Sequence, residues 1–271
     1  MKTSPSISRY VSEGVTLLGD TGRPGGVTFA FTERGGGVSE APYASLNLGG
    51  ACGDVAERVH ENRRRALAAL GAASCADRLV MPNQVHGDEV VVIHDATDAE
   101  LSRVRDRADA GADAIVCLAR EVPVMLCFAD CVPVVLAAPG AFAVVHSGWR
   151  GTLARISGKA MGVLCEEAGC EPSVVKAYIG PHITGEDYVV SPELLDSFVN
   201  EFGSMVNRGR DRLDLASAIQ RTLTSVGARP CNLLDSNLST ARGTDRFYSY
   251  RAEGGTCGRH AAMAFMPYAS S

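Results

Sequence analysis

Residues 123–151 contain three apolar runs of strand length separated by short breaks, and this stretch constrains the fold more than any other part of the chain. The runs cover residues 124–128, 132–138 and 142–145. They are rich in β-branched side chains, and continuous apolar runs of this length are typical of buried strands. The sequence therefore predicts that the rest of the chain is arranged around three buried strands.

Polar side chains with reactive groups occur in this stretch only where the predicted strands end. Asp130 and Cys131 separate the first two runs, and His146 and Arg150 follow the third. Binding and catalytic sites are commonly built from side chains at the ends of rigid elements. Any one of these residues alone is more often a satisfied structural group. Together with His86, which lies in a short loop between two further predicted strands, they indicate a functional site.

The remaining strands and helices interleave without the regular alternation of a doubly wound parallel sheet. Further strands are predicted over residues 27–32, 89–93, 114–118, 174–179, 246–250 and 262–266. Helices are predicted over residues 54–71, 152–168, 191–203 and 213–226, and residues 106–111 are predicted as a polar connection. A chain of 271 residues is long enough for a substantial core. This pattern predicts an α+β fold with mixed sheets.

The net charge, the apolar segments and the number of cysteines argue against several classes of protein. The net charge is −5 and the longest basic run is three arginines at residues 63–65, which argues against a nucleic-acid surface. No apolar segment has the length of a secretion signal or a membrane span, so we expect a cytoplasmic protein without a membrane partner. The nine cysteines are an odd number, and we expect them to be mostly reduced and buried rather than a disulfide framework.

His86, Cys131 and His146 are far apart in sequence, but each lies at the end of a predicted strand. Two imidazoles and a thiolate suit Zn²⁺ and leave the fourth tetrahedral position for water or substrate. Zinc would lower the pKa of that water towards ~7, and Asp130 is close enough in sequence to transfer the proton. The predicted catalytic residues are therefore Asp130, Cys131 and His146, and the predicted metal ligands are His86, Cys131 and His146.

Two alternatives use the same side chains. Cys131 and His146 alone form a metal-free thiol–imidazole nucleophile pair. Two histidines and a cysteine also suit a blue-copper centre. Copper is the less favoured metal because the chain has only six histidines, too few for the histidine-rich cluster that reduces O₂ beside such a centre. The sequence contains no P-loop, zinc-protease, nucleophile-elbow or zinc-deaminase signature.

Eight short motifs occur in the order in which they characterise one known family. They are ERGGGVS, SLNLG, ENRR, NQVHG, ADCVPV, VHSGWRG, IGPHI and FYSYR. On these motifs the chain resembles the YfiH family, also called laccase-domain or multicopper polyphenol oxidase proteins. The resemblance extends from about residue 27 to residue 267.

The resemblance implies a single domain over residues 1–271 in a four-layer α/β/β/α arrangement, with roughly the first 20 residues as a candidate extension. It also implies a zinc ion held by His86, Cys131 and His146. The implied activity is phosphorolysis of adenosine, inosine, guanosine or methylthioadenosine, together with deamination of adenosine. Other members are described as peptidoglycan editing factors that remove misincorporated serine from a muropeptide precursor. An amidase of this kind, and a non-catalytic zinc- or nucleoside-binding protein, are therefore the alternatives.

Phosphorolysis needs a cradle for phosphate, contacts to ribose and a proton for the leaving purine. Arg34, which precedes three glycines, and Arg150, near a predicted helix start, are the candidates for phosphate binding. Asn47 and Gln84 are the candidates for contacts to hydroxyls or base edges, and Asp130 is the candidate acid or base. These roles follow from motif position and chemistry rather than from spacing.

The chain departs from the family pattern at two positions. His182 stands where the family often has a cysteine, and Ser239 stands where it usually has a cysteine before threonine. His182 adds a ligand or lines the pocket, whereas Ser239 indicates that a cysteine there is not needed for the chemistry.

Overall fold

Two stacked β-sheets form the centre of the molecule, which the computed structural model describes over residues 4–268. The ends of the predicted 1–271 domain therefore lie outside the described residues. The strands are β1 (Ser8–Ser12), β2 (Val15–Gly19), β3 (Thr28–Thr32), β4 (Val90–Ile93), β5 (Ala114–Cys117), β6 (Val124–Phe128), β7 (Val132–Ala138), β8 (Ala141–Ser147), β9 (Lys176–Ile179), β10 (Leu233–Asp235) and β11 (His260–Phe265). One sheet has the order β1-β2-β3-β11-β6, and the other has the order β10-β9-β7-β8-β5-β4.

Helices cover the outer faces of both sheets. They are α1 (Ala56–Leu70), α2 (Asp98–Ala110), α3 (Trp149–Leu153), α4 (Ile156–Ala168), α5 (Pro192–Phe202) and α6 (Leu215–Ser225). Helix α1 packs on the five-stranded sheet, whereas α4, α5 and α6 pack on the six-stranded sheet. A third core lies between the sheets, and α2 closes one side of it. This is the α+β, four-layer arrangement expected from the sequence. Within residues 4–268, every helix is too short or too polar to cross a membrane.

The predicted central strands form β6, β7 and β8, and every residue of β7 and β8 is buried. Side chains of a strand point alternately to its two faces. In β8, Ala143 and Val145 pack towards the helices, while Phe142 and Val144 pack towards the other sheet. Because both faces are covered, the strand reads as a continuous apolar run instead of an alternating one.

The antiparallel register of β7 and β8 positions the reactive residues. Val132 pairs with Ser147, and Pro133 pairs with His146. Cys131, which precedes β7, is thereby brought to the end of the hairpin at which His146 lies. The β7–β8 hairpin therefore brings Cys131 and His146 together although they are 15 residues apart in sequence.

Helix α2 was not expected, because residues 106–111 were predicted as a polar connection. The helix buries only Leu101, Val104 and Ala108, which lie three and four residues apart on one face. Thr97 caps its first turn by accepting a hydrogen bond from the Glu100 amide. The prediction was wrong because most of the helix surface is charged and faces solvent, so its apolar stripe is narrow.

Two other predicted elements differ from the structure. The helix predicted over residues 152–168 is broken at Arg155, whose left-handed backbone (φ 59°) separates α3 from α4. Residues 246–250 are not a strand: the Arg246 and Phe247 amides donate to the Gly243 carbonyl in a turn. Phe247 and Tyr248 are aromatic and buried, although they lie in a turn. Buried aromatic residues are also typical of strands, so the sequence pattern predicted a strand here.

The N-terminal segment, which the sequence left open as an extension, contributes to the five-stranded sheet. β1 and β2 pair antiparallel along their full length, and β2 pairs with β3. Val15 and Leu17 of β2 are buried against α1.

A buried hydrogen bond connects the two sheets beside this hairpin. The hydroxyl of Tyr178 in β9 donates to the carboxylate of Asp20, just after β2, at 2.6 Å. Burial by itself would raise the pKa of the Asp20 carboxyl, but donors from Tyr178, Gly22 and Ser6 hold it below its usual range. The stability contributed by the charged form is therefore complete above the unfolded-state pKa of about 4 and is lost as the pH falls through the lower folded-state pKa.

We expect Tyr178→Phe to lower the free energy of unfolding at pH 7 by about 1.5–3 kcal/mol, because it removes a buried hydrogen bond to a charged acceptor. Urea unfolding measures this difference, which should shrink below about pH 4 as Asp20 becomes protonated. Tyr10→Phe is the matched control, since the Tyr10 hydroxyl has no protein partner among residues 4–268. An equal loss in both variants would contradict the assignment.

Candidate functional site

His86, Cys131 and His146 meet at one point on the wall of a cavity. Their ligating atoms all lie within 4.8 Å of one another, and within residues 4–268 they form the one cluster of three or more such groups. The two imidazole rings are 4.9 Å apart and nearly perpendicular, at 80°. Two imidazoles and a thiolate at these separations fit a divalent metal of the zinc type and leave a coordination position for a further ligand. The structure thus brings together the three predicted ligands.

A buried carboxylate, Asp113, organises this cluster and was missed by the sequence analysis. It accepts a hydrogen bond from His146 Nδ1 at 2.6 Å, and it also accepts the amides of Val85, His86 and Gly87 at 3.2, 3.0 and 2.7 Å. The side chain of Asp113 is completely inaccessible to solvent. The available signal was an acidic residue immediately before a fully buried strand, β5.

The bond to Asp113 determines which nitrogen of His146 is available to a metal. Because Nδ1–H donates to the carboxylate, Nε2 carries the free lone pair on the side of Cys131. The three amides on the same carboxylate hold the His86 loop in place. His86 has a left-handed backbone (φ 59°), which costs a non-glycine residue roughly 1–2 kcal/mol. Asp113 therefore fixes both histidines at once.

The Cys131 thiol and the neighbouring imidazole groups shift one another's pKa values. Burial would raise the pKa of the Cys131 thiol, but His146 and His86 lower it to about 6. Burial would likewise lower the pKa of His146, but the Cys131 thiolate and Asp113 raise it to about 9. Without a metal, the pair is therefore a thiolate–imidazolium pair near pH 7, which is the protonation state needed by a thiol nucleophile.

Asp130 lies beside the cluster with its carboxylate held by three donors. Oδ1 accepts the hydroxyls of Thr240 and Ser249, and Oδ2 accepts the amide of Arg251, each at 2.7 Å. Its backbone is left-handed (φ 90°). A carboxylate has about four acceptor positions, so one remains for a group in the cavity.

The cavity has a volume of about 680 Å³, in the range of small-molecule sites. Four aromatic side chains contribute to its walls, namely Phe128, Trp149, Tyr188 and Tyr250. A second cavity of about 210 Å³ adjoins it and includes Arg150. The Arg150 guanidinium stacks 4.4 Å from the ring centre of Trp149.

Gln84 lies in the wall, but its amide group is already bonded. Its Nε2 donates to the Cys127 carbonyl, and its Oε1 accepts the Cys127 amide, both at 2.8 Å. The side chain therefore extends the hydrogen bonding of β6 in the manner of a neighbouring strand. Both polar atoms of the amide are therefore bonded to the protein, and Gln84 lines the cavity with its hydrogen bonds already formed.

Arg34 and Asn47 do not reach the cavity. Arg34 donates to the Ala44 and Thr244 carbonyls at 2.9 and 2.6 Å, and it pairs with Glu253 at 2.9 Å. Asn47 is completely buried and bonds to the surrounding loops. The glycines after Arg34 permit close packing: a Cβ on Gly37 would lie 2.1 Å from the Ser45 carbonyl oxygen. Neither residue lines the two cavities, because loop packing, which the sequence does not show, uses their polar groups. Contact of Arg34 and Asn47 with substrate stays a prediction that this geometry does not support.

His182 and Ser239, the two departures from the family motifs, also lie away from the cavity walls. The Nδ1 atom of buried His182 bonds to the Gly180 carbonyl at 2.8 Å. Ser239 donates to Asp187 at 2.7 Å. Neither residue lines the two cavities described above.

Comparison with known proteins gives consistent matches over most of the chain. Residues 28–267 match the family described as multi-copper polyphenol oxidoreductase laccase. A purine nucleoside phosphorylase of Deinococcus radiodurans is 36% identical over 247 residues, covering 89% of this chain and 90% of the relative. Adenosine deaminase RL5, from an unknown prokaryotic organism, is 31% identical over 243 residues, covering 86% and 92%.

The solved structures agree with the sequence comparison. The crystal structure of YlmD from Geobacillus stearothermophilus superposes with a TM-score of 0.84 at 29% identity, covering 97% of this chain and all of that one. A likeness of this extent includes both sheets and the helices outside them.

We expect Asp113→Asn to weaken metal binding by about 10–100-fold, because the amide no longer fixes the tautomer of His146 or the His86 loop. A competition titration with a zinc chelator measures the affinity. Asp106→Asn makes the same chemical change on the exposed face of α2 and should leave affinity unchanged. Equal affinities of the wild type and Asp113→Asn would show that the carboxylate does not act on the ligands.

In metal-free protein, we expect iodoacetamide to alkylate Cys131 rapidly at pH 7 and to slow as the pH falls through about 6. The thiols of Cys117 and Cys127 should remain unmodified, because burial raises their pKa to about 12 and about 11. Peptide mapping identifies the modified residue, and added zinc should protect it. Modification that stays slow up to pH 8 would contradict a lowered Cys131 pKa.

Proposed function

The chain belongs to the multi-copper polyphenol oxidoreductase laccase family, and we propose that it is a zinc-containing purine nucleoside phosphorylase that also deaminates adenosine. The substrates are adenosine, inosine, guanosine and methylthioadenosine, with phosphate as the second reactant. The observation that carries this proposal is the His86–Cys131–His146 cluster on the wall of an aromatic-lined cavity of about 680 Å³. The cavity is large enough for a small molecule, and its lining includes Asp130, Cys131 and His146, the predicted catalytic residues.

Phosphorolysis exchanges one bond at the anomeric carbon for another. A phosphate oxygen forms a bond to C1′ while the C1′–N9 bond breaks, and its electron pair leaves with the purine. The proton lost by hydrogen phosphate is the one gained by the purine, so the products are ribose 1-phosphate and the free base. Deamination replaces the amino group of adenosine with oxygen from water and releases ammonia.

The aromatic walls supply the binding surface for the base. Phe128, Trp149, Tyr188 and Tyr250 offer flat apolar faces for stacking, while their placement excludes water from the reacting bond. Stacking is tolerant of the base, which suits a set of several purine nucleosides.

The metal cluster and Asp130 supply the polar chemistry. His86, Cys131 and His146 would hold a zinc ion, which when bound would supply a Lewis acid for a substrate oxygen or a water. Asp113 keeps the ligands oriented. Asp130 offers its remaining acceptor position to a ribose hydroxyl or to water, and its three donors hold it in that position.

Of the other residues predicted to bind substrate, two line a cavity and two do not. Gln84 lines the larger cavity with its amide already bonded to Cys127, and Arg150 lies at the edge of the adjoining cavity as a candidate anion contact. Arg34 and Asn47 lie outside the proposal because neither reaches a cavity. All nine cysteines are free in the structure, which supports a protein that works in the reducing cytoplasm.

Oxidation by a multicopper mechanism receives no support from the positions of the remaining histidines. His60 is exposed, His94 contacts surface carboxylates, and His182 and His260 are buried elsewhere. None of them joins the metal cluster within the described chain.

The low pKa of Cys131 supports one second candidate, an amidase that removes misincorporated serine from a muropeptide precursor. In that reaction the Cys131 thiolate attacks a carbonyl carbon, and His146 donates a proton to the leaving amine. Release of serine from a muropeptide, insensitive to chelators, is its diagnostic result.

We expect adenosine incubated with the protein to give adenine and ribose 1-phosphate only when phosphate is present, and to give inosine with or without phosphate. Chromatography of the products measures both reactions, and elemental analysis should find about one zinc per chain. Cys131→Ala and His86→Ala should abolish both activities and metal binding, since each removes a ligand. His60→Ala, which removes an exposed histidine on α1, is the control.

Full zinc occupancy in Cys131→Ala would refute the ligand assignment. Saturable adenosine binding without product would indicate a non-catalytic binding protein, and adenine release independent of phosphate would indicate a hydrolase.

A further inference from the structure

Two arginines without carboxylate partners lie beside a glycine turn in the cavity wall. The turn is formed by Gly49 and Gly50. Arg259, which immediately precedes β11, lines the cavity, and Arg63 of α1 lies against Gly50. Neither arginine forms an ion pair with a residue between 4 and 268. Most arginines of surface helices are paired or fully solvated, whereas these two are half-buried.

Backbone carbonyls hold both guanidinium groups in position. Arg259 Nη1 donates to the Cys257 and Gly258 carbonyls, both at 2.9 Å. Arg63 Nε donates to the Leu48 carbonyl at 3.0 Å. The Nε and Nη2 groups of Arg259 and both Nη groups of Arg63 have no protein acceptor in the described chain, so each guanidinium keeps donors for a ligand.

The two glycines permit this arrangement. A Cβ on Gly49 would lie 2.7 Å from Arg259 Cγ and 2.8 Å from the Cys52 sulfur. A Cβ on Gly50 would lie 3.1 Å from Arg63 Nη2. Side chains at these positions would displace the arginines, so the turn and the two guanidiniums form one cradle.

The cradle is electrostatically uncompensated. The one carboxylate in the wall of the larger cavity, within the described residues, is Asp130, which already accepts three donors. The nearby Asp54 is bonded to Ser39, Asn47 and its neighbouring amide. Arg259 lines the cavity together with Arg251, which forms no ion pair in the described chain, and Arg63 lies against Gly50 of the same wall. Guanidinium groups with no free carboxylate beside them favour an anion with several oxygen acceptors.

Arg259 and the two glycines of the cradle line the same cavity as the metal cluster. Cys127 lies in the wall near the two arginines, and Cys131 is a member of the cluster. Four residues of chain span at most ~14 Å, so one ligand-sized space separates the two groups. One small-molecule ligand is therefore long enough to contact both the cluster and the cradle.

We propose that Arg63, Arg259 and the Gly49–Gly50 turn form the phosphate subsite of this cavity. The inference rests on the proposed phosphorylase function and replaces Arg34, which the sequence analysis had placed in this role. The ligand chemistry is a phosphate dianion, whose source is either inorganic phosphate or the 5′-phosphate of a nucleotide. Bidentate donation from each guanidinium neutralises the anion and aims one of its oxygens at C1′.

Steady-state kinetics of Arg259→Gln and Arg63→Gln test the proposal. In each variant the KM for phosphate in adenosine phosphorolysis should rise about tenfold or more, because a charge-assisted contact is lost. Deamination of adenosine, which uses water, should keep its kcat and KM within about twofold. Arg259→Lys, which retains the charge but loses the planar fork, should show a smaller rise. Metal content and thermal unfolding confirm that each variant is folded.

Arg221→Gln makes the same change of charge on the exposed surface of α6 and should alter neither reaction. Arg150→Gln is the competing assignment. A rise in the phosphate KM in that variant, with no rise in Arg63→Gln and Arg259→Gln, would overturn the proposal. Equal loss of phosphorolysis and deamination in the Arg259 variants would overturn it as well, since it would indicate a contact to the nucleoside.

Titration with inorganic phosphate, followed by ³¹P NMR without nucleoside, separates failure of the subsite from failure of the proposed function. Phosphate binding that is weakened in Arg259→Gln supports the subsite even if the wild type releases no adenine. Binding that is unaffected overturns it. If Arg259→Gln instead loses a preference for adenosine 5′-monophosphate over adenosine, the cradle takes the phosphate of a nucleotide, and the subsite is supported with that source.

Discussion

The candidate site depends on the burial of one carboxylate. Asp113 is inaccessible to solvent, yet it carries the charge that holds His146 in its tautomer and the His86 loop in a left-handed conformation. Burying a charge without partners is costly, and here four donors compensate it. Removing the carboxylate would leave three amides and an imidazole without their acceptor. The positions of the candidate metal ligands thus depend on Asp113, just before β5, and on the loop before β4, as well as on the ligands themselves.

The two sheets contribute different chemistry to the cavity. The six-stranded sheet supplies Asp113, Cys131 and His146 at the ends of adjacent strands, where backbone hydrogen bonds hold them rigidly. The five-stranded sheet supplies Phe128 and Arg259, at the neighbouring ends of β6 and β11. The candidate metal ligands and the proposed anion contact are therefore carried by separate rigid supports that meet at the cavity.

The sequence predicted the parts of the structure that are determined locally. Buried strands β6, β7 and β8 are visible as apolar runs, and the three metal-binding side chains stand at their ends or in a short loop. Helix α2 escaped detection because its buried stripe has only three residues. Arg34 resembled an anion contact because glycines follow it, but those glycines serve backbone packing. Arg259 and Asp113 could not be identified because their importance comes from neighbours more than 25 residues away in sequence.

The position of β11 in the five-stranded sheet has a consequence for the order of assembly. It lies between β3 and β6, although it is the last strand of the described chain. On the ribosome, the strands of the six-stranded sheet are all made before β11 emerges. Until then, β3 and β6 present unpaired edges, which are the kind of surface that favours intermolecular pairing. The pairing of β11 with β3 also closes a loop of more than 200 residues, a contact that forms slowly. The half of the cavity that carries the candidate metal ligands can therefore exist in a nascent chain before the half that carries Arg259. We expect chaperones to bind such an intermediate, because its strand edges are still unpaired.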